Sequence, residues 1–315
     1  MGIISFSQKN NTLDFINIFN YKLYNKNRQH MAKPFVKWAG GKNQLLKEII
    51  STMPKEIKGY YEPFIGGGAL LFYILENFPP KRVLISDINE ELINSFLIIK
   101  TEPDELIKML EKYKSKHSEE FYYTIRGLET PTTKRLGIVL SDPKYNKLDN
   151  IERAARFIYL NKTCFNGLYR VNKDNQFNVP MGKYKNPEIF SKKNILEASR
   201  LLQNVQMKVM PFEDVIDFAK AKEFIYFDPP YDQINGNSFT SYTSNDFVRS
   251  DQLRLKNIFD KLDKKGCFVL ESNSPTPFIK EQYKKYKIKE VLAKRMINCD
   301  GTKRNEIKEV LIKNY

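Results

Sequence analysis

The chain switches repeatedly between two hydrophobic periods, and that switching constrains its fold more than any other feature. Tyr60, Tyr61, Glu62, Pro63 and Phe64 read as a strand that runs into Gly66, Gly67 and Gly68, and the apolar stretch 69–75 continues as a helix. Arg82–Asp87 is a second strand ending on an acid, with a helix over 90–100 behind it. Further strands are expected at Phe224–Phe227 and 267–271, and two β-rich segments, 288–292 and 309–312, flank a polar stretch near the C-terminus. Strand–helix alternation of this kind implies an α/β fold with a mostly parallel sheet, and the closing pair implies an antiparallel hairpin at one edge.

The region between the second strand and Phe224 has another character. Residues 91–160 read as helices, for example 103–113 and 151–160, whereas 161–193 are polar, basic and rich in turn formers. Over 151–193, nine Lys and Arg stand against three Asp and Glu, so the segment reads as an insertion carrying a partner-binding surface. The expected organisation is an extension over 1–32 that the fold does not need, an α/β domain over 33–90 and 194–315, and an inserted domain over 91–193 with a basic loop at 161–193.

The charge balance, 52 Lys and Arg against 37 Asp and Glu, gives a net +15 and concentrates a polyanion near the surface. No apolar run approaches the roughly 18–20 residues that span a bilayer. Cys164, Cys267 and Cys299 are odd in number and widely spaced, which argues for a reducing compartment and a cytoplasmic protein. With only two histidines there is no credible zinc constellation, so no metal is expected.

Glycines 66–68 at a strand-to-helix turn let backbone approach a ligand, and an acid ending the next strand, Asp87, is placed to accept hydrogen bonds from ribose hydroxyls. Asp87 equally suits a helix N-cap, with Asn89 as competitor. The loop Trp38-Ala39-Gly40-Gly41-Lys42 is not a phosphate-binding Walker sequence, because Val36 and Asn43 stand where Gly and Ser or Thr are needed. Asp228-Pro229-Pro230-Tyr231, after a buried strand, is the most specific signal. Two prolines make a rigid loop without N–H groups of its own, fixing a carboxylate and the Pro229 carbonyl side by side. Such a pair grips an exocyclic amine, and Tyr231 can lie flat on the base that bears it. Finally, Asn166-Gly167 and Lys173-Asp174-Asn175 shape a looped projection bearing Arg170 among lysines and aromatics.

Taken in order, these motifs resemble the Dam-type, D12 class, alpha-group DNA adenine-N6 methyltransferases, from about Lys33 to Tyr315. The resemblance rests on Lys37–Lys42, Glu62–Gly68, Ser86-Asp87-Ile88-Asn89, Asn166-Gly167-Leu168-Tyr169-Arg170, Phe177-Asn178-Val179-Pro180, Asp228–Tyr231 and Phe239-Thr240-Ser241-Tyr242. It implies a Rossmann-like sheet that binds S-adenosyl-L-methionine, plus an inserted, mainly helical DNA-recognition domain. The cofactor positions it implies are Trp38, Lys42, Glu62, Phe64, Gly66, Gly68, Asp87, Phe212 and Asp228. Catalysis falls to Asp228, Pro229, Pro230 and Tyr231. Relatives read GATC in double-stranded DNA, and Lys37, Phe165, Asn166, Leu168, Arg170, Pro180 and Tyr184 match the positions that touch it. The resemblance further implies base flipping and direct methyl transfer, and a monomer is expected. Two departures stand out: Phe165 replaces a wedging Tyr, and Pro211 replaces an acid before Phe212. The alternatives at this point are N4-cytosine methylation, transfer to RNA or a protein glutamine, and an inactive DNA-binding relative. A C5-cytosine enzyme would need Pro-Cys, and none of the three cysteines follows a proline.

Overall fold

A computed structural model describes residues 32–38, 40–42, 45–128, 147–173, 176–233, 247–294 and 306–315. The N-terminal extension (apart from Ala32), the Asp174-Asn175 turn, the 239–242 motif and Cys299 lie outside the described residues.

Strands β1 (Gly59–Glu62), β2 (Arg82–Asp87), β3 (Val205–Val209), β4 (Phe224–Phe227), β5 (Phe268–Asn273), β6 (Lys287–Lys294) and β7 (Glu306–Lys313) form one sheet in the order β3-β2-β1-β4-β5-β7-β6. The pairs from β3 through β5 are parallel, whereas β7 runs antiparallel to both β5 and β6. The expected edge hairpin is therefore present, with the last strand in sequence, β7, lying between β5 and β6. β3 was not legible as a strand. Its residues Val-Gln-Met-Lys-Val alternate, but only its first residue is fully buried, as befits a strand at the sheet margin.

Successive strand residues face opposite sides of the sheet, and they feed separate cores. Tyr60, Phe224 and Tyr226 join a cluster with Ile49, Leu70, Phe96 and Ile158, whereas Tyr61, Ile225 and Phe227 join one with Leu255, Phe259 and Val310. The covering helices include α1 (Leu46–Thr52), α2 (Ala69–Asn77), α3 (Glu90–Thr101) and α4 (Pro103–Ser115). They continue with α5 (Glu119–Gly127), α6 (Lys147–Thr163), α7 (Lys192–Leu202), α8 (Val215–Phe218), α9 (Arg249–Lys264) and α10 (Pro277–Gln282). α3 packs on β2 and β3 and also on α6, so one helix joins the sheet to the chain between β2 and β3. No helix among the described residues is long and apolar enough to cross a membrane.

The chain leaves β1 toward β2 and β3, then crosses back to β4 on the other side of β1. That reversal opens a crevice beyond the C-terminal ends of β1 and β4, where open α/β sheets bind ligands. Glu62 ends β1 and Asp228 follows β4 directly.

Candidate active site

Asp228 is held at this crevice by its strand and by the prolines behind it. Its side chain is about 20% exposed, and Lys42 Nζ lies 2.7 Å from Oδ1. Oδ1 is enclosed, and the Lys42 ammonium is its close counter-charge. Lys42 also donates to the Gly40 carbonyl at 2.7 Å and sits 4.6 Å from the centre of the Tyr231 ring. Burial raises the Asp228 pKa to about 6; Glu309 pushes the same way, and Lys42 opposes both. Glu62 is buried beside it, accepts the Tyr60 hydroxyl at 2.7 Å, and has its pKa raised chiefly by burial.

The loop carrying these groups is braced from behind by residues that the sequence did not single out. Gln252 donates to the Pro230 carbonyl at 2.8 Å, and Asn273 donates to Gln252 at 3.0 Å and to Glu271 at 2.9 Å. Asn273 also accepts the Asp232 N–H, while Thr276 holds the Asp232 carboxylate at 2.6 Å. The signal was there in part. Gln252 falls on the buried stripe of α9 with Leu255 and Phe259, where a polar residue needs a partner.

A second group of side chains lies at the ends of β1 and β2. Asn89, not Asp87, caps α3, accepting the Leu92 N–H at 3.0 Å. Asp87 is thereby left at the strand end as a half-buried carboxylate accepting the Asn89 N–H at 2.9 Å. Burial raises its pKa to about 6 despite backbone donors from Asn89, Gly66 and Ile88. Gly66 has φ of +47°, and a Cβ there would meet Trp38 Cδ1 at 2.8 Å, so neither the backbone nor the space admits a side chain. Gly68, also at positive φ, precedes α2. Phe64 stacks on Phe212 at 5.4 Å, and Phe212 is buried with the Arg254 guanidinium 5.5 Å from its ring centre.

The basic loop forms a third group. Antiparallel bridges Cys164–Met181 and Val171–Phe177 close it into the expected projection. A short helical turn at Phe165–Gly167 places Phe165 in solvent, 45% exposed, with Asn166 at a φ of 56°. Phe165 N–H donates to the Pro180 carbonyl at 2.9 Å, Leu168 packs on the core, and Arg170 Nε donates to Asn178 at 2.8 Å. Lys37 Nζ lies 4.3 Å from the centre of the Tyr184 ring, so two side chains distant in sequence meet. Cys164 is a packing residue whose thiol donates to the Leu168 carbonyl at 3.1 Å, and burial pushes its pKa up to about 12.

Residues 37–42 link the three groups. Lys37 lies against Gly167, Trp38 against Gly66 and stacked on Tyr169 at 6.0 Å, and Lys42 against Asp228. Asn161 fixes the start of this segment. Its fully buried amide accepts the Lys37 N–H at 2.7 Å and donates to the carbonyls of Lys37 at 2.8 Å and Gly167 at 3.1 Å. Removing it leaves three backbone groups short of partners, of which the Gly167 carbonyl is buried and would cost about 1–3 kcal/mol unsatisfied. Asn161→Leu is therefore expected to lower the thermal unfolding midpoint, read by circular dichroism melting. An unchanged midpoint would show that the clamp is idle.

The family model for D12 class N6 adenine-specific DNA methyltransferases matches residues 38–297. The chain is 46% identical over 299 residues to Type II methyltransferase M.MjaIII of Methanocaldococcus jannaschii, covering 90% of this chain and 99% of that protein. It is 41% identical to Type II methyltransferase M1.LlaDCHI of Lactococcus lactis subsp. cremoris, covering 93% of this chain and 99% of the relative. It is 33% identical to the DNA adenine methylase of Haemophilus influenzae, covering 89% and 92% respectively. With an acid, two prolines and an aromatic ring set at the switch point of its sheet, this chain belongs to the D12 class of N6 adenine-specific DNA methyltransferases.

Proposed function

We propose that the enzyme methylates N6 of a flipped-out adenine within GATC in duplex DNA, with Asp228–Tyr231 as the reacting centre and S-adenosyl-L-methionine as donor. The observation that carries the reading is the enclosed Asp228 carboxylate, paired with Lys42 at 2.7 Å and with acceptor capacity left over, beside a loop whose prolines have no N–H. An amine is the complementary group. Adenine N6 would donate to Asp228 and to the Pro229 carbonyl, localising a lone pair otherwise shared with the ring. Tyr231 supplies the face on which the base stacks. No covalent nucleophile on the chain is needed.

The cofactor, when bound, supplies an electrophilic methyl on its sulfonium. Gly66, closed to any side chain, would let backbone lie against its methionine part, with Gly68 opening the adjoining helix. Asp87 would accept the ribose hydroxyls, while Trp38, Lys42, Glu62, Phe64 and Phe212 complete the surround. The half-buried Asp87 carboxylate with raised pKa supports this, because hydroxyl donors would favour its charged form.

Residues 91–193 serve in this reading as the recognition domain inserted into a catalytic unit of 33–90 and 194–315. Arg170, Leu168, Pro180, Tyr184 and Lys37 read bases, Asn166 shapes the turn, and the exposed Phe165 wedges into the stack. The enzyme would act as a monomer in the cytoplasm, where the DNA lies.

The test is methyl transfer from labelled S-adenosyl-L-methionine into paired duplexes, one with GATC and one with that site scrambled. Label in the GATC duplex alone is expected. Equal label in both would discard the specificity and keep the chemistry. No label from folded protein in either would overturn the proposal.

A further inference from the structure

Glu309 lies in the final strand, eighty residues from the catalytic motif in sequence and beyond the stretch that the family model matches. The Tyr231 hydroxyl donates to Glu309 Oε2 at 2.6 Å. Register pairs Glu309 with Val291 on β6, and the next residue, Val310, pairs with Asn273 on β5. The carboxylate is therefore mounted between two strands rather than on a loop, and Asn273 belongs to the brace behind Pro230 and Asp232. A tyrosine ring has two side-chain torsions. Its backbone is stiffened here by the prolines before it, and its far end is tied by this short, charge-assisted hydrogen bond.

From this geometry we infer that Glu309 is a positioning residue for the target base, fixing the tilt of the Tyr231 ring on which that base stacks. The inference rests on the reading of Asp228–Tyr231 as the reacting centre. It goes beyond that reading by giving the antiparallel edge hairpin a part in base capture. Attack on a methyl group demands alignment, and a misplacement of about 1 Å can cost about 10²-fold in rate. A ring free to swing would hold the base at a spread of angles while leaving the phosphate contacts untouched.

The test uses the full-length enzyme with Glu309→Ala, Glu309→Gln, Tyr231→Phe, Tyr231→Ala and the Glu309→Ala/Tyr231→Phe pair. Glu309→Ala is expected to lower kcat by about 10- to 100-fold without changing DNA affinity. It should also weaken the fluorescence rise of 2-aminopurine placed at the target adenine. Glu309→Gln, whose amide oxygen still accepts the hydroxyl, should stay within about threefold of the parent. Tyr231→Phe should match Glu309→Ala, and the double variant should be no worse than either. Should Glu309→Ala fail to fold, Tyr231→Phe carries the same question with Glu309 in place. Glu309→Gln as impaired as Glu309→Ala, losses that multiply in the pair, or full activity of Tyr231→Phe would each overturn the inference. Failure of the underlying reading looks different, because then Tyr231→Ala would methylate at the parental rate.

Discussion

Asp228→Ala is expected to lower methyl transfer by roughly 10³-fold, the scale on which losing one preorganised polar contact to the reacting group acts. Duplex binding should stay within about threefold, because on the proposed reading the basic loop and Lys37 carry it, and these are held by Asn161 and Asn178 rather than by Asp228. Single-turnover methylation and a fluorescence anisotropy titration separate the two quantities. Methylation at a tenth of the parental rate or better would remove Asp228 from the chemistry. The parent enzyme should also carry an acidic limb in its pH–rate profile. The accepting form is the carboxylate, and the folded pKa is raised to about 6, so activity is present above that value and lost as pH falls through it. The group's contribution to stability has the opposite sign. It is fully present below the ordinary value of 3.8 and is lost as pH rises through about 6. Substitution of Asp228 should remove its own share of the stability dependence, while Asp87, also raised to about 6, continues to contribute over the same range.

The largest expected loss of stability is at Arg153. Its guanidinium, 6% exposed on α6, reaches Glu91 at 2.6 Å and Glu90 at 3.0 Å on α3, and it also contacts Asn150. Burial alone would lower the Arg153 pKa, but the two carboxylates outweigh it and the net shift is upward. Removing one side of a buried ion pair strands the other, at a cost of about 3–5 kcal/mol. Glu91 is poorly placed to absorb that loss, since its Oε2 is already enclosed without a partner. Arg153→Ala is therefore expected to lower the unfolding midpoint by on the order of 10 °C, given about 2–4 °C per kcal/mol in a protein of this size. Circular dichroism melting reads it directly. A shift under about 2 °C would show that α3 and α6 hold together by apolar packing alone.

Several features of this molecule were legible in local sequence because their causes are local. Arg82–Asp87 and Phe224–Phe227 are strands with the expected bounds, since a run of buried apolar residues next to turn formers leaves little choice. The glycine turn was equally plain, because the positive φ at Gly66 and Gly68 favours glycine. The competition between Asp87 and Asn89 for the helix cap was left open, and it was resolved by backbone geometry. Asn89 caps α3, which frees Asp87. The edge hairpin was visible as two β-rich segments, but not that β7 would slip between β5 and β6.

The site's supports were hidden for a different reason. Glu309, Gln252, Asn273 and Asn161 act through hydrogen bonds to residues far away in the chain, and one-dimensional spacing carries no trace of such pairings. The sequence by itself determined the chemistry on offer: an acid, a rigid proline pair, a stacking ring and a basic loop, each written in a short contiguous motif. Only the tertiary structure decided how these are held. The β1/β4 reversal gathers strand ends into one crevice, and burial there raises the proton affinity of Asp228. Motifs set which atoms are present, whereas solvent exclusion and long-range packing set where those atoms point and which charge they bear.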